Sequence, residues 1–386
     1  MLQGLKVVEV AEGVSGPYCG KLLADLGAEV IKVERPSIGD PSRFIPPFYH
    51  DEVSADAGLL FNYLNTNKLG VTLDVQAPAD RKVLTRLLND ADVLLFSGSV
   101  DDIKLADVEF TSLAASHPRL ICCYLVPFGL EGLHSSWKGG ELVSFHMSGL
   151  GLLTPNEART TASPPLKAGG NQALITAGVT AATAAMHALF AREATGHGQQ
   201  VDISEVEPLA SFQFMNVGRW TYAGDPGHRG FGEGSRRIWC RDGAVALLLG
   251  QDHQWRAMIE VMGSPDWALA PEYETRTGRA EDQEVLWAQI QGWATDYTKE
   301  EVYRMCQRLR VPAFPENTIA EAIDSGQVRS REFIREITLA SGESVPAPTR
   351  PYSLLHQPDF TARPAPRLGE HNIQVFRERL NLDWED

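Results

Sequence analysis

Cysteine is scarce and odd in number: Cys19, Cys122, Cys123, Cys240 and Cys306 are the five in 386 residues. That excludes a disulfide framework, so the thiols read as reduced, and no spacing among them suits a zinc site. Basic residues are in deficit, 35 Lys and Arg against 50 Asp and Glu, for a net charge of -15. Such a surface argues against nucleic acid and anionic membranes as partners. No uncharged apolar run approaches the roughly 20 residues of a membrane span, and no basic leader followed by an apolar core stands at Met1. The expectation is a cytoplasmic protein with no metal and no membrane partner. The first loop, GVSGPYCG at 13–20, lacks the GxGxxG spacing of a dinucleotide site.

What is present is an ordinary globular composition, 43% hydrophobic and 22% charged, in a chain long enough for one large domain and a smaller one. Lys6 to Val10 is an apolar, β-branched run, followed by a helical pattern from Tyr18 to Leu26 and a second strand, Glu29 to Val33. A strand, loop, helix, strand unit implies a parallel sheet with right-handed crossovers. Val71 to Val75, Val93 to Phe96 and Leu120 to Val126 add strands, and Arg81 to Leu88 a helix. The fold class is therefore α/β, with a Rossmann-like parallel-sheet large domain.

One stretch organises the rest. Pro164 to Ser204 holds a loop turning on Pro164, Pro165, Gly169 and Gly170, then a small-residue run, Ala177 to Arg192, that predicts a buried helix. Gly196-His-Gly stops the helix and a strand, Gln200 to Ser204, follows. Beyond it Val206 to Trp220 predicts a long helix, and Ala223 to Arg237 is rich in Gly and Arg. A strand, Ala244 to Leu249, and helices at Asp252 to Met262, Glu284 to Ala294 and Lys299 to Leu309 predict a smaller inserted α+β domain, with Thr298 and Glu301 as a capping box. The expected organisation is 1–222 large domain, 223–237 linker, 238–312 small domain, and 313–386 a return to the large domain ending in a proline-rich tail, Ser344 to Pro366, that wraps over a neighbour.

Taken together, several pieces resemble one family. VVEVAEGVSGPYCGKLLADLGAEVIKVERPSIGDPSR stands at 7–43, then Asn67-Lys68 with Val71-Thr-Leu-Asp, the 164–204 stretch, Arg241-Asp-Gly, QVRSREF at 327–333 and PAPRLGEH at 364–371. In this order they are similar to the class III CoA-transferases, the CaiB/BaiF-like family of formyl-CoA, carnitine and benzylsuccinate CoA-transferases. The resemblance implies coenzyme A, as acyl-CoA, for substrate, a carboxylic acid as second substrate, and an interlocked dimer. It implies that CoA is held by Val14 and Ser15 in the first loop, Arg35 after the second strand, Leu73 and Gln76 at the third strand's end, Ser97 and Gly98 after the fourth, and Lys138. On an acidic chain that site is expected to be a local basic patch, with Arg35 and Lys138 as cations for phosphate. Gln76 replaces a residue that is often lysine.

The resemblance also implies a nucleophilic aspartate, five residues after the glycine corresponding to Gly169 and four before the one corresponding to Gly178. Both counts land on Leu174, and no residue from Gly170 to Ala177 is acidic. A leucine cannot attack a thioester. Glu141 stands where the family has a carboxylate near the nucleophile, and reads either as a substitute or as a structural hydrogen-bond acceptor. Asn171 and Gln172 offer amides for an oxyanion but cannot form an anhydride. His197 reads as a helix C-terminal cation, His146 as a core histidine, and Ser144 and Ser204 lack a His–acid pair. The related α-methylacyl-CoA racemases need a His and an Asp that Lys138-Gly-Gly-Glu141 and Leu174 do not supply. Trp137, Phe145 and Met147 hint at an apolar acceptor acid.

Three functions remain. The chain is the Asp-lacking subunit of a hetero-oligomeric CoA-transferase, as the benzylsuccinate type is built of two related chains; or a CoA-thioester binding or regulatory pseudoenzyme; or an active homodimer that uses another carboxylate.

Overall fold

In the computed structural model, residues 1–154, 163–227, 229, 234–355 and 362–383 are described. The elements in chain order are β1 (Lys6–Val10), α1 (Ser15–Asp25), β2 (Glu29–Glu34), α2 (Leu59–Leu64), β3 (Leu69–Thr72), α3 (Pro78–Leu88), β4 (Val93–Ser97), α4 (Val100–Leu105), α5 (Phe110–Ser116), β5 (Ile121–Val126), α6 (Glu141–Met147), α7 (Gln172–Thr195), β6 (Gln200–Ser204), α8 (Glu207–Ala210) and α9 (Phe214–Ala223). They are followed by β7 (Ser235–Cys240), β8 (Gly243–Leu248), α10 (Asp252–Val261), α11 (Arg276–Glu281), α12 (Gln283–Ala294), α13 (Lys299–Arg308), β9 (Ala313–Pro315), α14 (Ile319–Asp324), α15 (Gly326–Ser330), β10 (Ile334–Thr338) and β11 (Ser344–Pro348).

Strands β1 to β6 form one parallel sheet in the order β3-β2-β1-β4-β5-β6, the doubly wound arrangement, with the strand order reversing between β1 and β4. Period-two alternation sends neighbouring residues to opposite faces. Leu94, Phe96, Cys122 and Tyr124 join Leu84 and Leu88 of α3 on one side, whereas Val93, Leu95, Ile121 and Cys123 join Leu23 of α1 and Ala177 and Ala181 of α7 on the other. Cys122 and Cys123 therefore belong to different cores. All five cysteines are free thiols.

Helix α7 starts at Gln172, five residues before the expected Ala177, which puts Leu174 in its first turn rather than in the loop. Its 24 residues reach the length and apolarity of a membrane span, contrary to the expectation from charge-free runs. Alanines at 177, 181, 185 and 188 seat one side in the core, and Gly178 lets it close on α1, since a Cβ there would meet the Ser15 carbonyl at 2.6 Å. The opposite side is not buried: Val179 and Phe190 are exposed. The expected helix at 206–220 runs through a tighter 3-10 turn at Ser211–Gln213 between α8 and α9.

The tail does not only extend outward. Residues 344–348 pair with β10 as an antiparallel hairpin, and the chain at 363–372 lies along β3. Asn67 and Arg363 exchange backbone and side-chain hydrogen bonds, Gly70 N–H donates to His371 Nδ1 at 3.1 Å, and Asn372 Oδ1 accepts from Thr72 N–H at 2.9 Å. A Cβ on Gly70 would meet Pro366 at 2.7 Å. The edge strand is thereby covered. Residues 356–361, within the stretch expected to wrap a neighbour, lie outside the described residues.

The compact units are Met1–Thr154 with Pro165–Gly227 and Glu332–Asp386, and Pro155–Pro164 with His228–Arg331. The second extends beyond the expected 238–312 at both ends. Strand β7 starts at Ser235 inside the expected linker and pairs antiparallel with β8, and β9 pairs with β8 past residue 312. Hydrogen-bonded strands cannot be parted from their sheet, so the return to the large domain falls at Glu332. Thr298 and Glu301 form the capping box that opens α13. Residues 228 and 230–233 of the expected linker are outside the described set.

Candidate active site

The carboxyl ends of the parallel strands open on a cleft of about 770 Å³. That is where open α/β sheets bind ligands, beside the point at which strand order reverses. All eight residues singled out for CoA line it: Val14 and Ser15, Arg35, Leu73 and Gln76, Ser97 and Gly98, and Lys138. Leu174 lines it too. Helix α1 begins there, and the N–H groups of a first turn have no intrahelical acceptor. The expected basic patch is not what the cleft carries. Its cations are Arg35 and Lys138, against carboxylates at Glu12, Glu34, Asp74, Asp102 and Glu205, and Arg35 is already paired with Glu12 at 2.8 Å.

A buried charge network holds the first loop. Lys32 Nζ donates to Asp40 Oδ2 at 2.8 Å and to the Ala11 carbonyl at 2.8 Å, and reaches Glu9 at 3.3 Å. Lys68 Nζ donates to the Pro17 carbonyl at 2.8 Å and to Asn65 at 2.9 Å. It also donates to Glu9 Oε1 at 3.0 Å, while Glu9 Oε2 lies 2.7 Å away as an ionic contact without hydrogen-bond alignment. Asp40 accepts from Gly13 N–H at 3.1 Å and from Ser42. Arg43 clamps Glu34 at 2.7 and 2.8 Å and donates to the Pro366 carbonyl. The loop carrying Val14 and Ser15 is thus tied at both ends, Ala11 and Pro17. Burial depresses Lys32, but Asp40, Glu9 and Glu34 outweigh it and raise its pKa. Lys68, where burial wins over Glu9, is lowered to about 8. Sequence reasoning missed this network. The available signal was a charge inside each of two otherwise apolar strands, VVEV and EVIKV.

Glu141 does not line the cleft. It opens α6 and its carboxylate accepts the N–H groups of Ala173 and Leu174 at 3.3 and 3.1 Å, with Lys167 3.7 Å away. Of its two readings, the hydrogen bond to backbone is the one its geometry makes: it caps the first turn of α7. Asn171 sits at the N-cap position without a side-chain cap, and the exposed Gln172 donates to the Gly169 carbonyl at 3.3 Å. His197 is exposed past the end of α7, where Arg192 makes the ion pair, with Asp92 at 2.9 Å. His146 stacks edge-on to Phe145 at 5.6 Å. Of the apolar candidates Trp137 lines the cleft, stacked on His134 at 3.8 Å, while Phe145 is buried in a core with Ala173 and Leu209 and Met147 is exposed.

Glu205 is among the cleft residues that the sequence did not mark. Glu205 stands just past β6, its N–H bonded to the Val126 carbonyl, and it is 8% exposed. Its Oε1 accepts the Ser15 hydroxyl at 2.6 Å. Burial pushes its pKa up; Ser15 pulls it down, and the charge of Glu141 pushes it up again. Nothing in SEVEP marks this carboxylate, because Ser15 lies far away in the chain. Among the described residues no group of three or more His, Cys, Asp or Glu could hold a metal ion.

Known proteins resemble this chain over nearly its whole length. The sequence model of CoA-transferase family III matches residues 2–372. The succinate–glutarate CoA-transferase of Agrobacterium fabrum is 29% identical, over 99% of this chain and 96% of its own. The BbsE subunit of the succinyl-CoA:(R)-benzylsuccinate CoA-transferase of Thauera aromatica is 30% identical, over 97% of this chain and 93% of its own. Among solved structures, a CAIB/BAIF family protein from Brucella suis superposes with a TM-score of 0.87 at 26% identity, covering 98% of each chain.

Proposed function

The chain belongs to CoA-transferase family III, and from that premise we propose that it takes an acyl-CoA into the cleft at the strand ends and passes the CoA to a carboxylic acid. The observation that carries the reading is the convergence of the eight expected CoA contacts, drawn from five separate stretches of chain, on one cleft. Arg35, Lys138 and the first turn of α1 are the groups offered to phosphate, and Trp137 an apolar wall.

A second reading has its own support. The resemblance puts Leu174 where the family carries its nucleophile, and one relative is named as a subunit. Apolar side chains are exposed on α7 and α9, among them Phe190, Phe214 and Trp220, with Tyr222 at 95%. A surface of that kind suits a partner chain. In this reading the chain is the companion of an Asp-bearing paralogue.

Isotope exchange separates the two. Pure protein is incubated with a panel of acyl-CoAs and labelled free acid, and the assay is repeated with a paralogous Asp-bearing chain added. Exchange by the pure protein is the expected result. Exchange in the mixture alone would make this the companion subunit, and CoA binding without exchange in either would leave a binding protein. Leu174→Asp, which restores a carboxylate to the first turn of α7, is expected to give partial exchange in a chain that lacks it.

A further inference from the structure

Resting on the reading that the pure chain transfers CoA, we propose that Glu205 is the carboxylate that attacks the acyl-CoA thioester. Five carboxylates line the cleft, and four are committed or solvated. Glu12 is ion-paired with Arg35 at 2.8 Å. Both oxygens of Glu34 are taken by Arg43. Asp102 caps α4 against Ser99 N–H and hydroxyl at 2.9 and 2.6 Å. Asp74 is exposed and accepts from Gln76 N–H at 3.0 Å. Glu205 is buried, has the Ser15 hydroxyl on one oxygen, and among the described residues pairs with no Lys or Arg.

A carboxylate stripped of water and of counter-charge is more basic and a stronger nucleophile than a solvated one. Burial beside the charge of Glu141 raises the pKa of Glu205 in that sense. Leu174 gives the same cleft an apolar wall, and Ser15, tied down with its loop, positions the carboxylate.

The chemistry balances without another reagent. A Glu205 oxygen forms a bond to the acyl carbon, the C–S bond breaks, and CoA leaves as thiolate with the electron pair, giving a mixed anhydride. The thiolate attacks the Glu205 carbonyl and expels the first acid, leaving a glutamyl-CoA thioester. The acceptor carboxylate attacks that thioester and again releases the thiolate. The thiolate then attacks the acceptor carbonyl of the new anhydride, forming the product thioester and freeing Glu205.

The test traps the adduct. The full chain is mixed with succinyl-CoA or acetyl-CoA, quenched with hydroxylamine, and its peptides are mapped by mass spectrometry. The expected result is a hydroxamate at Glu205 that persists in Glu141→Gln and is lost in Glu205→Gln, with exchange down by on the order of 10³-fold or more. Glu205→Asp should keep measurable exchange. Circular dichroism and CoA binding of Glu205→Gln, both expected unchanged, separate loss of chemistry from loss of fold. Label on another carboxylate, or undiminished exchange by Glu205→Gln, overturns the role of Glu205 and leaves CoA transfer standing. No label and no exchange by the wild-type chain overturns both.

Discussion

Around the first loop buried charge is matched: Glu9, Glu34 and Asp40 face Lys32, Lys68 and Arg43, three against three. At the tip of β6 it is not, for Glu205 has a hydroxyl and the field of a second carboxylate instead of a cation. Both groups belong to one domain and both are nearly dry. Desolvation penalises them alike, so the difference lies in what faces them. A matched network fixes backbone, here the carbonyls of Ala11 and Pro17. An unmatched carboxylate fixes nothing that a neutral side chain would not, and costs stability at neutral pH. Strain of that kind is retained where chemistry needs it.

The contrast can be broken from either side. Lys32→Met leaves Asp40 buried without its cation and Glu9 with Lys68 alone, and should cost about 3–5 kcal/mol in urea unfolding; a loss below about 1 kcal/mol would put the two regions on the same footing. Glu141→Ala removes the acceptor of two N–H groups at the start of α7. It should cost about 1–2 kcal/mol and let the pKa of Glu205 fall, readable by carbon NMR of the labelled carboxyl.

Glu205→Gln should move stability the other way. Because the folded pKa is raised, the native state keeps a proton that the unfolded chain has released, so this group's contribution is full below the ordinary glutamate value and is lost as pH rises through the folded one. The variant should therefore unfold later than wild type at pH 7, with the gap closing below the ordinary glutamate pKa of 4.5. A variant less stable than wild type at pH 7 would mean that Glu205 is structural after all.

Much of the large domain could be read from the chain. Strands at 6–10, 93–97 and 121–126 announce themselves by β-branched and apolar runs, and alternation explains why Cys122 and Cys123 part company. The family pieces at 67–74 and 364–371 were visible as words, but not as the two sides of one contact. Strand β7 was hidden because its partner, not its Gly- and Arg-rich neighbourhood, makes it a strand. The start of α7 was hidden because Asn171 and Gln172 read as loop, while the cap that extends the helix comes from Glu141.

The sequence by itself determined the α/β class, the parallel sheet, the capping of α13, the family and the set of residues that meet at the strand ends, because each rests on local periodicity, a cap within one turn, or a recognisable run of residues. Tertiary structure alone decided which carboxylates are neutralised and which is left bare. The field at Glu205 is set by Ser15 and Glu141, the field at Glu9 by Lys32 and Lys68, and those distances exist only once the sheet has brought remote segments within a few ångströms of one another.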